Sequence, residues 1–309
     1  MAFSETSVGI VGTGSVGASV AISLLTSGVT RKLLLHDKNS ERALGEAMDL
    51  AHGSSFYPTA TVQQVDNLPA LQQTDAVIIT AGRNGSPTES RLDLLRDNAA
   101  VMRAIASEFV DYQGTVIIVS NPVDVLTYVF QQASGLPPAK VVGTGTMLDT
   151  ARLRQILGRE LNLEPRSIHA QVAGEHGDSE VVLWSSATLG GISLKTWPNW
   201  TAEQEKRVAT EVRTAAYEII QRKGVTNHAI GLVTATLVKW ILRGDRRILT
   251  VSRVQEGVFG YRDLAISLPT IVSINGAERV IEPAVNEIEK AALDHSAAVI
   301  KKAIASLDP

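Results

Sequence analysis

The chain has 309 residues, of which 44% are hydrophobic and 20% are charged, and its formal net charge is −3. This length allows one large domain or two medium-sized ones, and the weak charge gives no reason to expect nucleic acid or an anionic membrane as a partner. The chain contains no cysteine, which excludes disulfides, thiolate nucleophiles and Cys-ligated metals and fits a cytoplasmic location. We predict no metal site.

The first 144 residues alternate short Val/Ile-rich runs with longer segments of helical period. The apolar runs are SVGIVG, KLLLHD, DAVIITAG, GTVIIVSNP and KVVGTG. This alternation is typical of a parallel sheet covered by helices on both faces, and it predicts a doubly wound Rossmann α/β domain over residues 1–144. The N-terminus shows no secretory signal, and no run approaches the roughly 20 apolar residues of a bilayer span.

The pattern changes after about residue 165. SIHAQVAG, EVVLWSSATLGGISL and RRILTVSRVQEGVFGYRDLAISLP read as antiparallel strands with turns, interrupted by a helix over 201–222. The chain ends in one long amphipathic helix. We therefore predict a second, α+β substrate domain over residues 145–309, packed closely against the first.

A glycine-rich stretch, GIVGTGSVG, follows the first predicted strand. It places Gly12, Gly14 and Gly17 in the spacing G-x-G-x-x-G at the start of a helix. This arrangement allows a tight turn, close approach of a pyrophosphate to the backbone, and close helix–strand packing. Asp37 ends the next strand, where a carboxylate accepts hydrogen bonds from ribose hydroxyls and repels a 2′-phosphate. The stretch predicts NAD(H) rather than NADP(H); the alternative is glycines used only for turns and a solvated Asp37.

Polar residues follow two later strands, at the edge where a parallel sheet places its active site. TVIIVSNPVD brings Asn121 and Asp124 to one strand end. GTGTMLDTARLR places Asp149 and Arg152 three residues apart, hence on one face of a helix. A surface ion pair is the alternative interpretation of that pair.

His176 lies between glycines and acidic residues in VAGEHGDSE. Such a composition is typical of a turn. Imidazole is also the side chain best suited to proton transfer near neutral pH. The residues alone leave both interpretations open.

The chain resembles, over nearly its whole length, the L-lactate/L-malate dehydrogenase family, with longer agreement to the lactate branch and its bacterial members. The matching stretches are GTGSVG, MDLAHG, ESRLDLLRDN, VSNPVDVLTY, GTGTMLDTARLR, GEHGDSE, RKGVTNHAIG and ISLPTIV. The resemblance implies an NAD-dependent enzyme that interconverts pyruvate and L-lactate.

The resemblance also implies catalytic roles. His176 would be the acid/base, Asp149 would hold and stabilise its imidazole, and Arg152 would bind the substrate carboxylate bidentately. Arg91 would polarise the substrate carbonyl. Asn121 would hydrogen-bond near that carbonyl, with a cis bond to Pro122.

Two further sets follow from the same resemblance. The remaining substrate-pocket residues would be Gly85, Asp124, Ala215, Ala216 and Thr226. The coenzyme-binding residues would be Gly12, Gly14, Val16, Gly17, Asp37, Arg42, Ala81, Gly82, Asn98, Val119 and Asn121.

The sequence departs from the family pattern at Gly85, the position that selects the substrate. Lactate enzymes usually carry Gln there, and malate enzymes carry an Arg that pairs with the second carboxylate. Glycine argues against oxaloacetate, whose extra charge would lack a partner, unless Arg83 substitutes. Glycine also leaves room for 2-oxo acids larger than pyruvate, so we expect relaxed specificity; L-malate and L-2-hydroxyisocaproate-type dehydrogenases remain alternatives.

Arg154 and His169 match the two residues with which allosteric bacterial lactate dehydrogenases bind fructose 1,6-bisphosphate at a subunit interface. The resemblance thus implies a homotetramer activated by that sugar. Without the resemblance, the two would be an exposed helix Arg and a strand His.

Two other functions use similar architecture. NAD-dependent glycosidases fit less well, because their metal site needs a Cys. A non-catalytic NAD sensor has no use for the acid/base pair.

Overall fold

The computed structural model describes residues 6–83 and 90–307, with only the backbone of Arg91. Strands and helices alternate through the N-terminal half. Their bounds are β1 Ser7–Val11, α1 Ser15–Thr26, β2 Lys32–His36, α2 Ser40–His52, β3 Thr61–Gln64, β4 Ala76–Ile79, α3 Arg91–Ala106, β5 Thr115–Ile118, α4 Val123–Ser134, β6 Val141–Gly143 and α5 Met147–Leu161.

These six strands are parallel and lie in the order β3-β2-β1-β4-β5-β6. This is the strand order of the Rossmann fold, in which the order reverses between β1 and β4 and opens a crevice at the carboxyl ends of the strands. The prediction of a doubly wound sheet is confirmed.

The C-terminal half contains several short strands, two long strands and three long helices. Its elements are β7 Ile168–His169, β8 Val172–Ala173, β9 Val181–Val182, β10 Thr188–Leu189, β11 Ile192–Ser193, α6 Ala202–Lys223, α7 His228–Arg243, β12 Arg247–Glu256, β13 Arg262–Ser273, β14 Gly276–Val280 and α8 Glu287–Ala305. The predicted helix over 201–222 is α6, which Thr201 begins with a reciprocal capping box and Gly224 ends in left-handed geometry. The predicted terminal helix is α8.

The long antiparallel strands extend the parallel sheet. β12 pairs with β6 through Ser252 and Gly143, and β13 and β14 continue outward to make a nine-stranded sheet. The predicted division at residue 144 therefore falls inside a continuous structure, between β6 and α5. Sequence patterns could not reveal this pairing, because the partner strands lie far apart in the chain.

Side chains on the two faces of the sheet belong to two different apolar cores. Successive residues of one strand, such as Ile78 and Ile79 of β4, enter opposite cores. Helices α3, α4 and α8 cover one face, and α1, α2 and α7 cover the other. A third core lies between α5, α6 and the short strands. The sheet is thus held rigid from both sides, with its carboxyl edge free for a site.

Residues 6–83 and 90–307 contain neither a membrane-spanning helix nor a metal-binding cluster of side chains. No helix there is long and apolar enough to cross a bilayer. No group of three or more His, Asp or Glu side chains in those ranges is arranged to hold a metal ion.

Candidate active site

The glycines of GIVGTGSVG occupy places that larger residues could not. Gly12 has φ +99°, and a Cβ there would lie 2.7 Å from the backbone N of Ala81. A Cβ on Gly17 would lie 2.0 Å from the carbonyl oxygen of Gly12. Both positions therefore bring α1 and β4 close to the turn after β1.

Gly14 faces open space. A Cβ at this position would meet nothing within 4 Å, and no side chain caps the N-terminus of α1 that begins there. The first N–H groups of α1 are thus available to an anionic group. This combination of tight packing at Gly12 and Gly17 with open space at Gly14 fits the pyrophosphate of a dinucleotide.

Asp37 lies beside this turn at the end of β2. Its carboxylate accepts hydrogen bonds from the backbone N–H of Thr13 at 2.7 Å and of Asn39 at 3.0 Å. Burial opposes the charge, but these N–H donors and the nearby Arg42 guanidinium hold the pKa of Asp37 below its usual range. Asp37 is therefore an ionised acceptor next to the dinucleotide turn.

Asn98 ties together two strand ends of the crevice. Its Oδ1 accepts the backbone N–H of Arg83 at 2.9 Å, and its Nδ2 donates to the carbonyl of Asn121 at 3.3 Å. It is buried, and Gly82 packs against it. The structure thus shows Asn98 bracing the loops that would carry the coenzyme. Val16, Ala81 and Val119 lie around the same crevice, in α1 and after β4 and β5.

Asp149 is the centre of the residues that were predicted to be catalytic. It lies in the first turn of α5, and its Oδ2 is 2.5 Å from Nδ1 of His176. Its Oδ1 accepts a hydrogen bond from Arg152 at 2.6 Å. The Asp149 side chain is 2% exposed, whereas those of Arg152 and His176 are 14% and 24% exposed. One buried carboxylate therefore orients an imidazole and a guanidinium that both reach solvent.

His176 lies in the segment 174–179, which we call the catalytic turn. Three elements hold its backbone. The carboxylate of Asp124 in α4 accepts the N–H of His176 at 2.7 Å, and Oγ of Ser296 in α8 accepts the N–H of Glu175 at 2.6 Å. Gly174 pairs with Ser267 of β13 through two backbone hydrogen bonds. His176 thus stands in a turn, as its neighbours in the sequence predict, and its ring contacts a carboxylate; its role in proton transfer stays a prediction.

The placement of Asp124 differs from the expected contact with substrate. It is 2% exposed, and its carboxylate supports the catalytic turn from behind. Burial raises the pKa of Asp124 to about 6, although the hydrogen bond from the His176 backbone and the nearby His176 charge favour its ionised form. The sequence pattern located this residue at the correct strand end but could not tell on which side of His176 it lies.

The charge state of the dyad, the pair formed by Asp149 and His176, follows from its contacts. Burial disfavours a charged imidazole, but the Asp149 carboxylate outweighs it and raises the pKa of His176 to about 9. In the same way, His176 and Arg152 overcome burial and hold the pKa of Asp149 below its usual range. His176 is accordingly an imidazolium at neutral pH, and its Nε2 makes no hydrogen bond to the described residues.

The remaining predicted substrate residues differ in how far the structure places them. Asn121 is exposed at the crevice, and its bond to Pro122 is cis, as predicted. Ala215 and Ala216 lie half-buried on α6, and Thr226 follows that helix. Gly85 and the Arg91 side chain lie outside the described residues. Arg83, the proposed substitute cation, is ion-paired with Asp97 at 2.6 Å.

The two predicted effector residues lie on α5 and β7. Arg154 is on α5 and its Nε donates to the carbonyl of Ala170 at 3.1 Å. His169 is exposed on β7, the strand that precedes Ala170. Arg154 thus contacts the backbone of the residue that follows His169.

The chain was compared with known protein families. Residues 6–143 match the lactate/malate dehydrogenase NAD binding domain, and residues 146–308 match the alpha/beta C-terminal domain of the same family. The chain belongs to the lactate/malate dehydrogenase family. The predictions of an NAD-binding Rossmann domain and of an NAD-dependent dehydrogenase are therefore confirmed, and neither the glycosidase nor the sensor alternative is favoured.

Individual members of the lactate/malate dehydrogenase family align along almost the whole chain. The L-lactate dehydrogenase of Salinibacter ruber is 41% identical over 307 residues, which cover 97% of both proteins. That of Bacillus caldolyticus is 39% identical over 306 residues. The crystal structure of the minor L-lactate dehydrogenase of Enterococcus mundtii, in a ligands-bound form, superposes with a TM-score of 0.95 and covers 98% of both chains at 39% identity.

Several residues of this dehydrogenase site escaped the sequence analysis. Thr13 donates to Asp37, and Ser296 and Ser267 hold the catalytic turn. Each is a small polar residue whose partner is distant in sequence, so no local pattern marks it. Glu180 ends the stretch GEHGDSE. An acidic residue in a polar turn normally faces solvent, so the sequence did not indicate that Glu180 is buried.

Proposed function

We propose that the protein is an L-lactate dehydrogenase that reduces pyruvate with NADH and catalyses the reverse reaction with NAD⁺. The observation that carries this proposal is the placement of His176 and Arg152 on the two oxygens of the Asp149 carboxylate. The names of the relatives support it, because those aligned above are L-lactate dehydrogenases. The catalytic and binding roles predicted from the sequence are part of the proposal.

Each side chain then has a defined task. Arg152 binds the pyruvate carboxylate with the guanidinium N–H groups that Asp149 leaves free. The His176 imidazolium gives its Nε2 proton to the carbonyl oxygen, which becomes the hydroxyl of lactate, and the neutral imidazole regains a proton from water. Asp149 stabilises the imidazolium and fixes its orientation throughout. Arg91 polarises the carbonyl.

The N-terminal domain holds the coenzyme. The turn at Gly12, Gly14 and the N-terminus of α1 would take the pyrophosphate, and Asp37 would accept the ribose hydroxyls. Bound NADH supplies the hydride that reduces the carbonyl carbon. We place the boundary of this domain near residue 144 and the protein in the cytoplasm.

A substrate profile tests the proposed reaction. We expect NADH oxidation with pyruvate, and kcat/KM for 2-oxobutyrate within about 100-fold of it, because one methylene is worth ~1–3 kcal/mol. We expect 2-oxoisocaproate to be reduced as well, because glycine at position 85 has no side chain to exclude it. Oxaloacetate should be the poorest of the four. A clear preference for oxaloacetate would assign the protein to malate, and a dominant rate with 2-oxoisocaproate would assign it to the hydroxyisocaproate type.

We further propose that fructose 1,6-bisphosphate activates a homotetramer through Arg154 and His169. The guanidinium and imidazole would each bind phosphate, and a two-fold axis would double both. We expect millimolar bisphosphate to lower the apparent KM for pyruvate and raise Tm.

Substitution at this effector site gives a matched comparison. His169→Gln should lose the response to bisphosphate while keeping basal activity, and Arg279→Gln, an exposed cation on the edge strand β14, should respond as wild type does. If bisphosphate changes neither KM nor Tm of the wild-type protein, the effector proposal fails and the dehydrogenase proposal is untouched.

A further inference from the structure

Glu180 is a buried acid immediately after the catalytic turn. The residue is 6% exposed, and its Oε1 is sealed from solvent with no hydrogen-bond partner among residues 6–83 and 90–307. Burial of a carboxylate oxygen without water or a donor disfavours the ionised group, whereas a carboxylic acid tolerates such a place. The surroundings therefore favour the protonated group.

Four charged groups face this carboxyl group from three elements. They are Asp149 and Arg152 on α5, His176 in the catalytic turn and Arg213 on α6. Burial raises the pKa of Glu180, and the Asp149 charge raises it further; the three cations act in the opposite direction and do not prevail. The Nε of Arg213 is itself buried without a hydrogen-bond partner, so this donor of α6 does not compensate the acid.

The charge of the site depends on that proton. Arg152 and His176 carry two positive charges beside the Asp149 carboxylate, and a neutral Glu180 leaves this group one unit of charge more positive than an ionised Glu180 does. An ionised Glu180 would cancel that charge and compete with the substrate for Arg152. We propose that Glu180 works as a carboxylic acid, and that its neutral state keeps the site attractive to an anionic substrate.

This inference rests on the proposed function for the nature of the substrate, and it assigns Glu180 as a positioning residue that acts through Arg152 and His176. It has a distinctive consequence. Raising the pH removes two protons, one from His176 and one from Glu180, and each loss weakens the binding of an anion. An enzyme in which His176 titrates but Glu180 does not would lose only one proton over the same pH range.

Binding of oxamate, a non-reacting pyruvate analogue with the same carboxylate, measures this directly. NADH fluorescence of the full-length protein should report an oxamate Kd that rises between about pH 7 and pH 10 with a limiting two-proton slope. Glu180→Gln, which is permanently neutral, should show a one-proton slope. Because burial raises the pKa of Glu180 to about 8, this variant should bind oxamate about 100-fold more tightly than wild type near pH 10, tenfold for each pH unit above that pKa. Glu218→Gln, an exposed acid on α6, should follow wild type.

A Glu180→Gln profile that keeps the wild-type slope overturns the inference. Infrared spectroscopy of the wild-type protein gives a second reading that does not depend on a variant folding or on substrate. Between neutral and alkaline pH we expect the loss of a carboxylic acid C=O stretch, in a window where Asp124, with its pKa of about 6, is already ionised. Absence of that band at neutral pH also overturns the inference, whereas failure of the wild-type protein to reduce pyruvate contradicts the proposed function instead.

Discussion

Replacing His176 with alanine should lower kcat for pyruvate reduction by about 10³-fold, with little change in NADH binding. In the proposed reaction the His176 imidazole donates the proton, and the described residues offer no second acid in contact with both Asp149 and the cleft. The coenzyme turn around Gly12 belongs to a different part of the sheet edge, so the affinity for NADH should not depend on His176. Stopped-flow reduction and NADH fluorescence titration measure the two quantities separately.

His295→Ala is the matched control for this variant, since His295 is exposed on α8. It should retain activity within about twofold, as surface substitutions usually do. Equal turnover in the His176→Ala and wild-type proteins would remove His176 from the mechanism, and a parallel loss of NADH affinity would mean that the substitution disturbs the fold.

Replacing Asp149 with asparagine should lower kcat/KM for pyruvate by about 10³-fold, although the shape of the side chain is kept. The variant loses the charge that stabilises the His176 imidazolium, and it leaves Arg152 without its anchor. Its effect should therefore include both a lower kcat and a higher KM. Asp245→Asn removes an exposed carboxylate and should be close to wild type.

The pH profile distinguishes this electrostatic effect from misfolding. The proposed reduction needs a protonated His176, so kcat/KM for pyruvate should fall by a full proton slope above the His176 pKa of about 9, in addition to the decrease that ionisation of Glu180 causes at lower pH. In Asp149→Asn the fall should begin at least about one pH unit lower, because the opposite charge that raised the pKa is gone. An unshifted profile with reduced activity would contradict the role given to Asp149.

The site could be predicted from the sequence where its geometry is local. Gly12 and Gly17 lie within one turn, and Asp149 and Arg152 lie on one helix face, so spacing alone brings them together. The link between Asp149 and His176 is not local, and it came only from the family resemblance.

Residues that act through distant partners could not be predicted. Ser296 reaches the catalytic turn from the last helix and looks like an ordinary helix residue in the sequence. Asp124 could be assigned to the correct strand end, but not its position behind His176. The protonated Glu180 is a similar case, because its burial depends on how α5, α6 and the turn pack together. The fold followed the same rule: the parallel order was predictable, but the pairing of β12 with β6 was not.

That pairing means that the two halves of the chain cannot be used as separable modules. A fragment ending near residue 144 would uncover the backbone of β6 together with the apolar side chains that β12 and β13 now cover. Such an unprotected edge invites association with other chains. Shuffling of coenzyme-binding and substrate-binding halves between relatives would therefore require that the junction strands be exchanged together.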